Sequence, residues 1–191
     1  MGAKEAIFFP LFIDKMQVSS KLGKGSFCLY HGNLSVSENE EAVLFLIKEV
    51  FSKLPFPCVV AGRNPTPVIR KVCQRQNIRL VSNPAEEELS QLLEDAQVHV
   101  LPSMNTTGIK IKLINALFHG RFVVTNFQGV EGSHLENLCR ICNTVEEFRK
   151  VISILMDTEF NNSEREHREE ILLPEFNSEE NAKLLIKLIF S

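Results

Sequence analysis

Lys110 and Lys112 stand two residues apart in the run GIKIKLINALFHG, which begins at Gly108 and ends at Gly120. Lysines in the first turn of a helix are unfavourable by about 0.3–1 kcal/mol each, because the free amides there already carry partial positive charge. A bound phosphate or diphosphate would reverse that sign. It could accept bonds from the amides after Thr107 while the two ammonium groups neutralise its charge. The alternative is that both lysines simply extend into solvent on their apolar stems. Arg63, directly after the strand-end Gly62, is a further cation for such a site, or else a cap for a neighbouring carbonyl. His119 falls at the far end of the same helix, where the dipole favours an imidazolium without any catalytic role.

These side chains need a frame, and the chain supplies one. From residue 27 onward, short apolar runs alternate with amphipathic stretches. That pattern predicts an α/β fold, a Rossmann-like parallel sheet with helices on both faces. Strands are expected at residues 27–31, 58–61, 78–81, 98–101 and 122–125. A first helix opens at Ser37 with Glu40 as a capping box. Val43, Leu46, Ile47, Val50, Phe51 and Leu54 form its apolar stripe, and Pro55 and Pro57 end it. A second helix is expected at 67–76. Asn83, Pro84 and Glu86 read as the cap, first position and first-turn carboxylate of a third, whose buried face is Leu89, Leu92, Leu93 and Ala96. Residues 108–119 alternate at first like a strand, but Leu113, Ile114, Leu117 and Phe118 followed by Gly120 decide for a helix. Helices near 145–156 and 179–189 close the chain, and the polar stretch 161–170 between them reads as a solvated helical face. Ligands of open parallel sheets bind beyond the carboxyl ends of the strands. Here those ends are residues 32–37, 62–65, 82–84, 102–108 and 126–132, rich in Gly, Asn, Ser and Thr, as loops in general are.

Composition narrows the partners. The 191 residues suit one domain, 44% hydrophobic and 24% charged. A net charge of -3 argues against a nucleic-acid binder, which needs a basic face. Five cysteines, no secretory signal and no metal-like spacing beyond Cys139-x-x-Cys142 point to reduced thiols in a cytoplasmic protein, with the close pair flanking a buried strand. The N-terminal run IFFPLFI is too short to span a bilayer and is broken by Pro10. Its phenylalanines suggest docking onto this domain or onto a neighbour.

The run NTTGIKIKLINALFHGRFVVTNFQGVEG at residues 105–132 resembles the donor-domain signature of family 4 glycosyltransferases, which have two Rossmann domains (the GT-B fold). Gly108-Ile-Lys-x-Lys-Leu, Asn115-Ala, Gly120, Val123-Val124 and the closing Glu131-Gly132 carry the match. Tyr30-His-Gly32-Asn33-Leu34, Val59-Val-Ala-Gly62 and residues 86–103 fall in the family's order before it. The resemblance implies a nucleotide-diphosphate sugar as substrate, no cofactor and no metal. Its diphosphate would lie by Gly32, Asn33, Thr107, Gly108, Lys110 and Lys112, with Arg63 as a substitute cation. The base would lie near Ser82 and Asn83, the ribose at Asn115. Basic groups and helix dipoles would stabilise the leaving diphosphate.

Departures from the family pattern qualify what it implies. The family's paired glutamates fall on Thr107 and Asn115, and its basic pair on Asn33 and Glu38. No catalytic base is identifiable. The resemblance also implies that residues 1–26 are an interdomain linker, that residues 27–191 are the C-terminal donor domain, and that an N-terminal acceptor domain or partner chain completes the enzyme. Transfer with retention to a polysaccharide or glycoconjugate is then expected, with membrane association only through the acceptor. The competing reading is a non-catalytic relative that kept the fold and lost the glutamates. A phosphate-triggered regulator would need an acidic cluster after the first strand, and His31-Gly32-Asn33 supplies none.

Overall fold

The computed structural model describes Phe9, Phe12, Ile13 and residues 17–106 and 110–190. Six strands form one parallel sheet: β1 (Cys28–Asn33), β2 (Cys58–Arg63), β3 (Arg79–Ser82), β4 (Val98–Val100), β5 (Phe122–Thr125) and β6 (Arg140–Ile141), in the order β3-β2-β1-β4-β5-β6. The helices are α1 (Ser37–Phe45), α2 (Pro67–Arg75), α3 (Glu86–Asp95), α4 (Ile111–His119), the short α5 (Phe127–Val130), α6 (Val145–Asp157), α7 (Asn162–Glu175) and α8 (Ser178–Phe190). The Rossmann-like α/β sheet with helices around it is the one expected.

Alternation along the strands sorts side chains into two layers. Leu29, Val59, Ala61 and Val81 pack with Leu92, Leu93 and Ala96 of the α3 region. Cys28, Tyr30 and Val60 belong to the larger core with Val43 of α1 and Phe148 and Ile152 of α6. The stripe expected on the first helix is buried from Val43 to Phe51, but the helix is not α throughout. Leu46–Val50 is a π turn and Phe51–Lys53 a 3-10 turn. The Glu49 carbonyl is taken by Arg149 of α6, from Nε at 2.8 Å and again from Nη2.

Several expected helix starts differ. Ser37 and Glu40 form no capping box: Val36 is the N-cap without a side-chain bond, and Glu40 instead accepts from Thr66 Oγ1 at 2.6 Å. Thr66 caps α2 in the regular way, accepting from the Ile69 amide. Asn83 does not cap α3, which starts after Ala85. Asn83 takes φ 52°, and its Oδ1 accepts from the Asn64 amide, so its side chain is spent on the loop. The real capping box is Thr144–Glu147 at α6. The polar stretch 161–170 is helical, as expected, but not wholly solvated, since Arg168 is 3% exposed.

Residues 17–26 lie against the domain rather than apart from it. Val18 and Ser20 are buried, the Ser19 amide donates to the Phe118 carbonyl, and Gly23 bridges Phe160. The run IFFPLFI falls within the described residues only at Phe9, Phe12 and Ile13, where the two rings stack at 5.8 Å. All five cysteines are buried free thiols, and Cys139 and Cys142 flank the exposed edge strand β6. No helix among the described residues is long and apolar enough to cross a membrane.

The strand order reverses between β1 and β4, the place where such sheets open a ligand crevice. Pairing of β1 with β4 stops at Leu29–His99, whereas β1 stays paired with β2 as far as Asn33–Arg63. The β4 chain instead follows β5, with the Leu101 amide donating to the Val124 carbonyl. The two strands therefore part above Leu29.

Candidate functional site

The parting of β1 and β4 opens into a cleft of about 460 Å³, lined by Gly32 and Asn33 of β1, Val36, Glu38 and Asn39 at the start of α1, Ser103 and Asn105 after β4, and Lys110, Ile111 and Lys112 at the start of α4. Two larger hollows, of about 510 and 670 Å³, lie elsewhere: one on the outer face of α1, one at the amino ends of β1–β3. The smaller cleft is the one at the topological switch point and is lined by both Lys110 and Lys112, so fold and chemistry select it over size.

Lys112 is half-buried in the first turn of α4. Its Nζ donates to Asn39 Oδ1 at 2.8 Å and to the Tyr30 hydroxyl at 3.1 Å, and sits 4.9 Å from the Tyr30 ring centre. Asn39 is aimed by its own Nδ2, which donates to the Asn33 carbonyl at 2.9 Å. Tyr30, whose hydroxyl donates to Asn39 Oδ1 at 3.1 Å, is held neutral because burial raises its pKa. Both acceptors given for Lys112 are thus uncharged. Burial, and then the neighbouring Lys110, lower its pKa to about 8, so the ammonium is still charged at pH 7.

Lys110 is not inside the helix, as the spacing predicts, but at its N-cap with extended backbone (φ -88°, ψ 94°). Its Nζ donates to Asn105 Oδ1 at 2.6 Å, and Asn105 Nδ2 donates to Glu38 Oε1 at 3.3 Å. Backbone and Ser37 hydrogen bonds hold Glu38 below the usual carboxylate range. Asn126 fixes the loop after β4 with two bonds, Oδ1 to the Ser103 amide and Nδ2 to the Ser103 carbonyl.

The structure brings Gly32, Asn33, Lys110 and Lys112 into one cleft. Gly32 and Asn33 end β1 rather than starting a loop. Asn33 Oδ1 is occupied by the Ser35 amide and hydroxyl. Arg63 is exposed beside Asn33 in register but does not line the cleft. Ser82 ends β3, Asn83 follows it, and neither lines the cleft. Ser82 accepts from Arg70 at 3.1 Å. Asn115 lies half-buried in α4, outside the lining. Thr107 and Gly108 fall outside the described residues. Sequence reasoning missed Asn39 and Asn126, which act through hydrogen bonds that no spacing encodes. Below the cleft, His31 and His99 meet edge to face at 5.8 Å. His99 Nε2 faces the Leu93 carbonyl at 2.9 Å, so Nε2 carries its proton. Burial holds both rings neutral, His99 at about 3. Among the described residues, no group of three His, Cys, Asp or Glu could hold a metal ion.

Residues 25–158, most of the chain and the whole cleft, match the family model of the glycosyl transferases group 1. The chain belongs to this family. No curated protein matches it in sequence. Solved structures match it in fold. A mutant of TarM from S. aureus, in complex with fondaparinux, alpha-GlcNAc-glycerol and UDP, gives a TM-score of 0.68 at 14% identity over 94% of this chain and 38% of its own. A glycosyltransferase from Rickettsia africae gives 0.69 at 14%, over 86% and 47%. AviGT4, a glycosyltransferase involved in avilamycin A biosynthesis, gives 0.65 at 17%, over 98% and 59%. The chain thus spans 38% to 59% of those three chains. Family and fold agree on a C-terminal, Rossmann-like domain of the GT-B glycosyltransferases.

Proposed function

We propose that this chain is the donor-binding part of a glycosyltransferase, and that its cleft takes a nucleotide-diphosphate sugar destined for a polysaccharide or glycoconjugate acceptor. The observation that carries this reading is Lys112: a half-buried ammonium at a helix N-terminus, in the switch-point cleft, donating to two neutral acceptors. A diphosphate would supply the opposite charge and take up the dipole of α4. Lys110 lies within the same cleft and can turn from Asn105 to a ligand oxygen. An acceptor-binding domain or partner chain would complete the enzyme, and this chain alone would not turn over. Metal or cofactor has no assigned part in this reading.

A neighbour in fold is held with UDP, which makes uridine diphosphate the first probe. Calorimetric titration with UDP, GDP and ADP and their glucose or mannose esters should give saturable binding. Lys110→Ala with Lys112→Ala should weaken it at least tenfold, equivalent to about 1.4 kcal/mol. Absence of binding to every one of these nucleotides would leave the donor reading untenable. One observation favours the second reading, a binding or scaffold domain without catalysis: the cleft contains a carboxylate, Glu38, at the mouth of what would be an anion site. Binding of the diphosphate without transfer in the presence of any completing domain would decide for it.

A further inference from the structure

Glu38 is the feature of the cleft that the donor reading does not use. Its side chain stands on α1, across the mouth from the loop after β4, and the Asn105 amide joins it to Lys110. Asn105 Nδ2 donates to Glu38 Oε1 at 3.3 Å, while Asn105 Oδ1 accepts from Lys110 Nζ at 2.6 Å. The carboxylate therefore reaches into the lining that Lys110 and Lys112 share, and offsets part of their charge. Its second oxygen accepts from Ser37 at 3.1 Å, which fixes the side chain rather than leaving it to swing away.

A carboxylate so placed acts differently on two related ligands. In the sugar ester each phosphate carries one ester bond and the shared anhydride bridge, and so one negative charge. Once the sugar leaves, the outer phosphate becomes terminal, and with a second pKa of about 6 it gains roughly one further negative charge at neutral pH. Repulsion by a fixed charge grows with the charge it meets. Resting on the donor reading above, we propose that Glu38 sets the cleft's preference, disfavouring the free nucleoside diphosphate relative to its sugar ester. The carboxylate weakens both ligands but weakens the product more, and so helps it depart. Asn105 is the positioning residue: it holds the carboxylate at the mouth and holds Lys110 back from solvent.

The test compares the full chain with its E38Q variant, titrated calorimetrically with UDP and UDP-glucose, and with GDP, ADP and their sugar esters, at pH 7.5 and low salt. Glu38 is exposed, and the amide preserves its shape, so folding is not at stake. The expected result is tighter binding of the free diphosphate to E38Q by roughly three- to tenfold, with a smaller gain for the ester. The gap between the two should shrink in 0.5 M salt. Equal gains for ester and diphosphate, or no gain at all with wild-type binding intact, would overturn the role of Glu38 and leave the donor reading standing. No binding by either protein would remove the donor reading itself, and this proposal with it.

Discussion

The two ends of α4 each hold a cation, and the surroundings of the two are opposite. At the C-terminal end, Arg168 of α7 is buried and donates to the carbonyls of Leu117, Gly120 and Arg121 and to Ser20 Oγ, with its guanidinium 4.7 Å from the Phe160 ring centre. The Leu117 carbonyl belongs to the last turn of α4, which leaves its carbonyls without helical partners, and Gly120 is the C-cap, so charge, dipole and hydrogen bonding agree there. Burial lowers the Arg168 pKa only to about 10, so it remains charged. At the N-terminal end, Lys112 faces the wrong pole of the same dipole and donates to two neutral acceptors. The first cation is complete within the protein. On the donor reading proposed above, the second is completed by an anionic ligand. What separates the two cations is the set of groups around each: backbone carbonyls at one end of the helix, a side-chain amide and a phenol at the other.

The contrast can be broken from either side. Arg168→Met should be the most damaging change, destabilising by about 3–5 kcal/mol because it strands buried carbonyls; a urea midpoint close to wild type would show that end to be less complete than described. Second in size is acid sensitivity from the histidine pair between the two ends. Both rings are neutral when folded because burial lowers their pKa from 6.5, so the unfolded chain binds protons that the folded chain refuses. Stability is then full above pH 6.5 and falls below it, by about 1.4 kcal/mol per pH unit for each ring. Urea titrations at pH 7, 6 and 5 should show that slope, and H99N should reduce it; an unchanged slope in H99N would remove His99 from the account.

Lys112→Met should differ in kind. It should leave stability within about 1 kcal/mol of wild type, since a half-buried charge is replaced by an apolar chain of similar length, yet reduce diphosphate binding at least tenfold. A large fall in its melting temperature would mean that Lys112 is structural after all. Wild-type binding should also weaken as pH rises through about 8, where Lys112 loses its proton, and this pH dependence should vanish in the variant. The smallest effect is expected from Ser19→Ala, which removes the 2.6 Å contact with His119 Nδ1 at the C-terminal end. Less than about 1 kcal/mol should be lost, as measured by the same urea unfolding.

How far the sequence revealed these two ends follows from what each depends on. Apolar periodicity disclosed five of the six strands and the helices between them, because burial of whole faces is written in spacing. The Arg168 site was hidden because it depends on position across the helix. Arg168, Leu172 and Phe176 form a buried row at four-residue spacing, yet the charged neighbours at 164–170 mask its first member. The lysines of the cleft were legible because they contradict the dipole. Asn39, which accepts from Lys112, and Asn126, which fixes the loop after β4, were not, since a single amide in a loop or first turn has many uses. Helix starts failed where a competing bond won: Glu40 went to Thr66 and Asn83 to Asn64.

The π turn at Leu46–Val50 ties the cleft to chain length. Such a turn accommodates one residue more than an α turn, and so absorbs that residue while the faces upstream of it keep nearly their α phase. Deleting one residue there should restore α geometry and leave Ser37–Phe45 facing as it does, whereas a residue added in α geometry downstream of Asn39 would turn the segment before it by about 100°. In that second case Glu38 and Asn39 would swing off the mouth of the cleft while every residue of the cleft stayed unmutated. A length change in this helix that no wider turn absorbs therefore acts on the site from a distance, as a change of phase rather than of chemistry.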